Sequence, residues 1–258
     1  MLFMYTYGKG GLSLDISSLT GILIGFVVIV GALFLEGGTV SSIIQPKAAL
    51  IVLGGTMAAG MINFPISVFA NAVKELKNIF GEEKLDFNGM IANIGELAGI
   101  ARQQGILVIQ HLIHDINDPF LKKSMRLSID TTDRAVLEEI FNSELKMEEE
   151  KGLVLPIFFE SLGGYAPTFG IIGAVLGLIQ VMSSVENPAE LGHGISTAFV
   201  ATLYGVGAAN LIFLPIAGKL RFRLREKLLY KKLITQGILS IHKGENPTIA
   251  REKLLNYV

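Results

Sequence analysis

The sequence predicts an all-α membrane protein: four transmembrane helices, a helical cytoplasmic domain between spans two and three, and a cytoplasmic C-terminal helix. Three observations carry this reading. Half of the 258 residues are hydrophobic and only 17% are charged, with a mean hydropathy of +0.52, a balance that soluble domains of this length seldom reach. Four runs, 16–35, 48–73, 161–185 and 195–218, contain no Asp, Glu, His, Lys or Arg. Each reaches the roughly 20 residues that a helix needs to cross the hydrocarbon. The cationic residues are also unevenly shared among the connecting segments, which fixes an orientation.

The elements follow in order. Residues 1–73 form a first hairpin, with spans at about 16–35 and 48–73. The leading segment carries a single lysine, Lys9, and no small-x-small cleavage pattern, so the first run reads as a span and not a signal peptide. The short connection before the second span carries one cation, Lys47, at its edge. Residues 74–152 carry ten Lys and Arg. There Asp86 is an N-cap for Phe87, Met90, Ile91, Ile94, Leu97 and Ala98 at helical spacing. Gly105 interrupts the pattern, and Ile106, Ile109, Leu112 and Ile113 resume it. Asp118-Pro119 reads as a cap followed by proline at the first helical position. A further helix starts near Thr132 and runs through Phe141 towards Glu148, Glu149 and Glu150. Residues 153–218 form a second hairpin, with spans at about 153–185 and 195–218 and no Lys or Arg between them. Residues 219–258 are a basic tail with ten Lys and Arg, whose helix stops near Gly244. The positive-inside rule places the long segment, the tail and the N-terminus in the cytoplasm.

Composition excludes several chemistries. There is no cysteine, and so no disulfide, thiolate nucleophile or Cys-ligated metal. The formal net charge of -1 gives no field for nucleic acid. GxxxxGK[ST], HExxH and GxSxG are all missing, so no enzymatic activity and no cofactor is expected. His111 and His114, with Asp115, lack a third fixed ligand and read as a polar pair rather than a metal site.

The informative absence is inside the membrane. Ion relays use an intramembrane Asp, Glu or His, and these spans have none. Glu160, at the cytoplasmic end of the third span, reads as an interfacial anchor. The third and fourth spans offer shape instead. Gly170, Gly173 and Gly177 make one small-residue stripe, and Ala198, Thr202, Gly205 and Ala209 make another. Two readings stay open: the stripes pack on each other, or they line a core that another protein's helix fills. In the second, Thr202 is the polar group facing the ion. Pro167 and Pro215 predict bends towards the cytoplasmic ends of the two spans.

The motifs LIVLGGTMAA at 50–59, IARQQG at 100–105, YAPTFGIIGAVLGLI, ATLYGVGAANLIFLPIAGKL and QGILSIHKGENP resemble, in order and spacing, those of the MotA/PomA flagellar stator subunits. The resemblance covers nearly the whole chain. It implies an inner-membrane subunit with both termini cytoplasmic, surrounded by lipid, in a ring of five around a dimer of MotB-type partners. The partner's single helix would supply the ion-carrying aspartate. Ion flow would turn the ring against the rotor protein FliG. By the same resemblance Pro167 matches the proline of APxxG, and Pro215 that of LPxA. Thr202 matches the threonine beside the aspartate, and Arg102 the arginine of the rotor contact.

Two departures qualify this. The family's glutamate eight residues after the arginine is Gln110 here, which implies a charged rotor contact that is either weakened or carried by another residue, such as Glu148, Glu149 or Glu150. Sodium-type members carry threonine where this chain has Ala174. A methyl group cannot coordinate sodium, so Ala174 favours the proton as the transported ion, with sodium the alternative. An ExbB/TolQ-type energiser is the rival reading; the four-span plan argues against it.

Overall fold

The computed structural model describes residues 13–14, 16–79, 81–82, 85–131, 133–183 and 188–257. Residues 1–12, including Lys9, and Thr132 lie outside them. The chain divides into two compact units, one built from Ser13–Glu82 with Leu153–Arg221, the other from Glu83–Gly152 with Phe222–Val258. Nearly all of it is helical, as the apolar periodicity predicts.

In the first of these units, helix α1 (Ile16–Leu35) runs to Gly37, whose φ of 77° suits a residue without Cβ. Short helices α2 (Val40–Ile43) and α3 (Pro46–Ala49) follow, joined by extended residues at Ile44 and Gln45. A wide π-type turn, Leu50–Gly54, leads into α4 (Gly55–Asn63). The predicted second span does not continue to 73. Phe64 is extended, with φ -128° and ψ 144°, because the ring of Pro65 disfavours helix at the residue before it. Helix α5 (Ile66–Ile79) then begins anew. A two-residue antiparallel pairing of β1 (Ser13–Leu14) with β2 (Gly81–Glu82) departs from a purely helical plan. It is too short to leave an alternating pattern in the sequence. Runs long and apolar enough to cross a membrane are Val40–Asn63, Arg134–Met182 and Gly194–His242; Thr20–Leu35 is a shorter apolar helix.

The other unit has its own core. Helix α6 (Phe87–Gln104) is capped by Asp86, whose Oδ1 accepts from Gly89 N–H at 2.8 Å, and it ends at Gly105 with φ 87°. A 3₁₀ turn (Ile106–Val108), helix α7 (Ile109–Leu112) and another 3₁₀ turn (Ile113–Asp115) lead to α8 (Pro119–Asp130). Asp118 Oδ1 caps α8 by accepting from Leu121 N–H at 2.7 Å. The long helix α9 (Arg134–Ser183) begins where Asp133 accepts from Ala135 N–H. Helix α10 (Pro188–Ala208), a π-type turn (Ala209–Phe213) and α11 (Leu214–His242) follow, and α11 ends before Gly244 at φ 68°. A further helix, α12 (Pro247–Leu255), lies beyond the predicted stop, with Asn246 accepting from Thr248 N–H and Pro247 at its first position. It packs on α6. Ile94, Ile109, Met125, Phe141, Leu233 and Ile238 are fully buried in this core. Complete burial of such side chains stabilises by about 1.5–3 kcal/mol each.

Glu148 joins this core to its surface. It accepts from Lys231 and lies 3.4 Å from Lys227 Nζ, while Lys231 stands 4.8 Å above the Phe120 ring. Burial pushes the Glu148 carboxyl up, but the Lys231 hydrogen bond and the charges of Lys231 and Lys227 pull it down more, and it sits below the ordinary glutamate value of 4.5. A lowered folded pKa stabilises above the unfolded value, and that stabilisation is lost as pH falls through the folded one. Glu148→Gln should therefore lower stability at pH 7 by about 1 kcal/mol. The gap from the unsubstituted chain should close as pH drops below 4.5, read from thermal melts of the helical circular dichroism signal.

Candidate functional site

Helices α9 and α10 touch through their backbones. A Cβ added at Gly170 would lie 3.0 Å from the Ala201 carbonyl oxygen and 3.3 Å from the Cα of both Thr202 and Gly205. One at Gly177 would lie 3.0 Å from the Gly194 carbonyl oxygen, and one at Gly205 only 2.5 Å from that of Ala166. Ala166, Ala198, Ala201 and Ala209 fill the remaining seam and are buried. Helices in lipid gain little from apolar exclusion, so this approach supplies the van der Waals packing that holds them. The two small-residue stripes are thus spent on each other. The open faces of these helices carry large apolar side chains instead: Ile171, Val175 and Ile179 on α9, and Phe199, Leu203 and Val206 on α10.

Thr202 stands at the edge of the seam. It is half-buried, and its hydroxyl donates to the Ala198 carbonyl at 3.3 Å, leaving its lone pairs unspent. Ala174 and Pro167 on α9 are also half-buried, and the Pro167 Cα would lie 3.1 Å from a Cβ at Gly205. Helix α9 stays helical through Pro167 and through a further buried proline, Pro156, which the sequence reading did not single out. Pro215 is exposed in the first turn of α11. The wide turn Ala209–Phe213 precedes it and contains Leu211, whose carbonyl Pro215 cannot bond. That turn meets α1, where Leu211 lies against Gly25.

A polar cluster sits on another side of α10. The Tyr204 hydroxyl donates to the Ile43 carbonyl at 2.6 Å and accepts from Gln45 N–H at 3.2 Å. Thr197 Oγ1 donates to Gln45 Oε1 at 3.3 Å. These partners are about 160 residues apart in the chain, so no local pattern announces them. Glu160 pairs with Arg221 at 2.6 Å, both half-exposed, a contact worth at most about 1 kcal/mol.

In the other unit, Arg102 is exposed in the last turn of α6, where the helix dipole favours a cation. Gln110 is exposed on α7. Of the three acidic residues that could replace the missing glutamate, Glu148 is engaged by Lys227 and Lys231, whereas Glu149 and Glu150 are exposed. Among the described residues no three His, Asp or Glu side chains gather to hold a metal ion.

The chain is similar to known proteins along nearly its whole length. A family described as Motility protein A N-terminal matches residues 19–105, and the MotA/TolQ/ExbB proton channel family matches 112–232. Motility protein A of Bacillus subtilis (strain 168) is 33% identical, covering 95% of this chain and 91% of that protein. Chemotaxis protein PomA of Vibrio alginolyticus is 30% identical over 95% of this chain and 96% of its own length. The C. jejuni MotAB structure superposes with a TM-score of 0.87 at 30% identity, covering 95% of this chain and 96% of the matched one. The flagellar MotAB stator complex of Bacillus subtilis does so with a TM-score of 0.87 at 33% identity and the same coverage.

The seam makes a direct test. Gly205→Ala should lower the chain's thermal stability in detergent by about 1–3 kcal/mol, because the new methyl meets backbone and not a movable side chain. Gly207→Ala, with nothing within 4 Å of the added carbon, should leave it unchanged or slightly raised.

Proposed function

The chain belongs to the MotA family of flagellar motor stator subunits, and on that premise we propose that it joins a MotB-type partner in an ion-conducting unit that turns proton-motive force into rotor torque. One observation carries the proposal: the stretches 161–185 and 195–218 hold no ionisable carboxylate, imidazole or amine. A conducting path through them needs a carrier from outside the chain. The MotAB complexes to which this chain is similar supply the precedent for such a partner.

The proposed topology has four spans, with hairpins at 1–73 and 153–218 and a cytoplasmic domain of 74–152 with the tail 219–258. The shared core of α6, α8, α9, α11 and α12 supports the tail and the middle segment folding together. The pairing of Ser13–Leu14 with Gly81–Glu82 supports both ends of the first hairpin lying on one side of the membrane. The 20 residues of α1 would span about 30 Å, enough to cross it. The large apolar side chains left open on α1, α9 and α10 suit lipid, the partner helix and neighbouring copies. A ring of five around a partner dimer is the assembly proposed, in the bacterial cytoplasmic membrane with both termini inside.

In the proposed cycle a proton neutralises the partner's aspartate beside Thr202, which lowers the cost of that carboxylate in the membrane. Its contacts with the third and fourth spans change, and the ring steps. Arg102 and exposed neighbours such as Glu149 and Glu150 engage FliG. Ala174 presents a methyl where sodium would need oxygen, so the carried ion is the proton. The chain's match to Motility protein A relatives over 95% of its length favours this over an ExbB/TolQ-type energiser.

Swimming speed in a stator-deleted host that expresses the chain with its partner tests this. Speed should follow the proton gradient and ignore removal of sodium; dependence on sodium would refute the ion assignment. Arg102→Ala should reduce speed while membrane abundance holds, since an exposed substitution changes stability by only about 0.5 kcal/mol.

A further inference from the structure

The polar cluster on α10 has no place in the cycle above. Between α2 and α3 the backbone is extended at Ile44 and Gln45. The Ile43 carbonyl and the Gln45 N–H meet at a single side chain, the Tyr204 hydroxyl. A break between two helices leaves backbone N–H and C=O groups without intrahelical partners, and here a side chain takes them up. Seven residues earlier, Thr197 is buried and holds the Gln45 side chain. At 100° per residue, seven residues return to within about 20° of the same face, so Thr197 and Tyr204 grip one strand of chain from one side of α10. Between them Val200 and Ala201 pack on Ala48 and Val52.

Thr202 lies two residues from Tyr204, about 3 Å along the axis and about 160° around it. The grip is therefore at the level of Thr202 and on the opposite side of the helix. A helix held by glycine contacts alone can slide or turn, because dispersion contacts between smooth faces are non-directional. Hydrogen bonds to a fixed backbone are directional. We propose that Tyr204, assisted by Thr197, is a positioning residue: by clamping the Ile43–Gln45 break to α10 it sets the rotation that aims Thr202 at the ion path. This rests on the reading of Thr202 given above.

The test uses the full chain with its partner in the stator-deleted host. It compares Tyr204→Phe, Thr202→Ala and the double variant for partner co-purification, swimming speed and the dependence of speed on external pH. Tyr204→Phe keeps the ring and removes both backbone bonds. The expected result is normal co-purification, speed reduced about fivefold, the ratio equivalent to about 1 kcal/mol, and a displaced pH profile. Thr202→Ala should also be slow, and the double variant no slower than the slower single one, the mark of two residues acting as a unit. Normal speed for Tyr204→Phe while Thr202→Ala is slow overturns the clamp and leaves Thr202 in the path. Normal speed for Thr202→Ala overturns the reading of Thr202, and the clamp with it. Independent, multiplying losses overturn action through Thr202. Should Tyr204→Phe fail to reach the membrane, Thr197→Val removes the Gln45 contact without touching the ring. A slow but assembled Thr197→Val stator with a displaced pH profile supports the clamp, and a normal one reduces Tyr204 to packing.

Discussion

The contact of backbone on backbone between α9 and α10 is the constraint from which the membrane unit follows. Gly205 faces the Ala166 carbonyl and Gly170 faces the Ala201 carbonyl, at separations that leave no room for a side chain at Gly205 and a tight fit at Gly170. Once these faces are joined, the remaining sides of both helices are assigned. One side of α10 packs through Val200 and Ala201 on Ala48 and Val52, with the Tyr204 hydroxyl bonded to the chain just before α3. The side carrying Phe199, Leu203 and Val206 is left large, apolar and open. Thr202 falls at the margin, half-buried, with a hydroxyl already oriented by the Ala198 carbonyl.

This arrangement explains why a stator subunit can dispense with a carboxylate of its own. An ionisable group within a tightly apposed glycine seam would have neither water nor room, and its charged form would be strongly disfavoured. In the proposed cycle the carrier sits on a partner helix, which separates two demands that conflict in one chain: a smooth, closely packed wall and a group that takes and releases a proton. The charges of this chain collect elsewhere. Glu160 with Arg221 bounds the apolar stretch, and Glu148 with Lys227 and Lys231 braces the helical core of the other unit.

What was legible in the sequence depended on whether its cause was local. Asp86, Asp118 and Gly105 announced helix ends because capping and positive φ involve only neighbouring residues. Asn246-Pro247 carries the same cap signal as Asp118-Pro119, yet the helix behind it, α12, is hard to see in the sequence, because its nine residues bury only Ala250 and Leu254 and leave a faint periodicity. Hydropathy ignores proline and so carries the second span through to residue 73; Pro65 ends α4 by a steric effect on Phe64 that composition does not register. The small-residue stripes were visible from spacing, but spacing places residues on a face without saying what the face meets. The contact between Gly170 and Gly205, like that between Tyr204 and Ile43, joins distant parts of the chain and leaves no local signal.

In the proposed cycle this chain is the wall of a proton path and its partner holds the carrier. Proteoliposomes under an imposed membrane potential, with a pH-sensitive dye inside, test it most directly. The chain alone should acidify the lumen no faster than protein-free vesicles, and co-reconstitution with the MotB-type partner should produce a flux that vanishes when the partner's aspartate is replaced by asparagine. Proton flux through the chain alone would place the carrier within it.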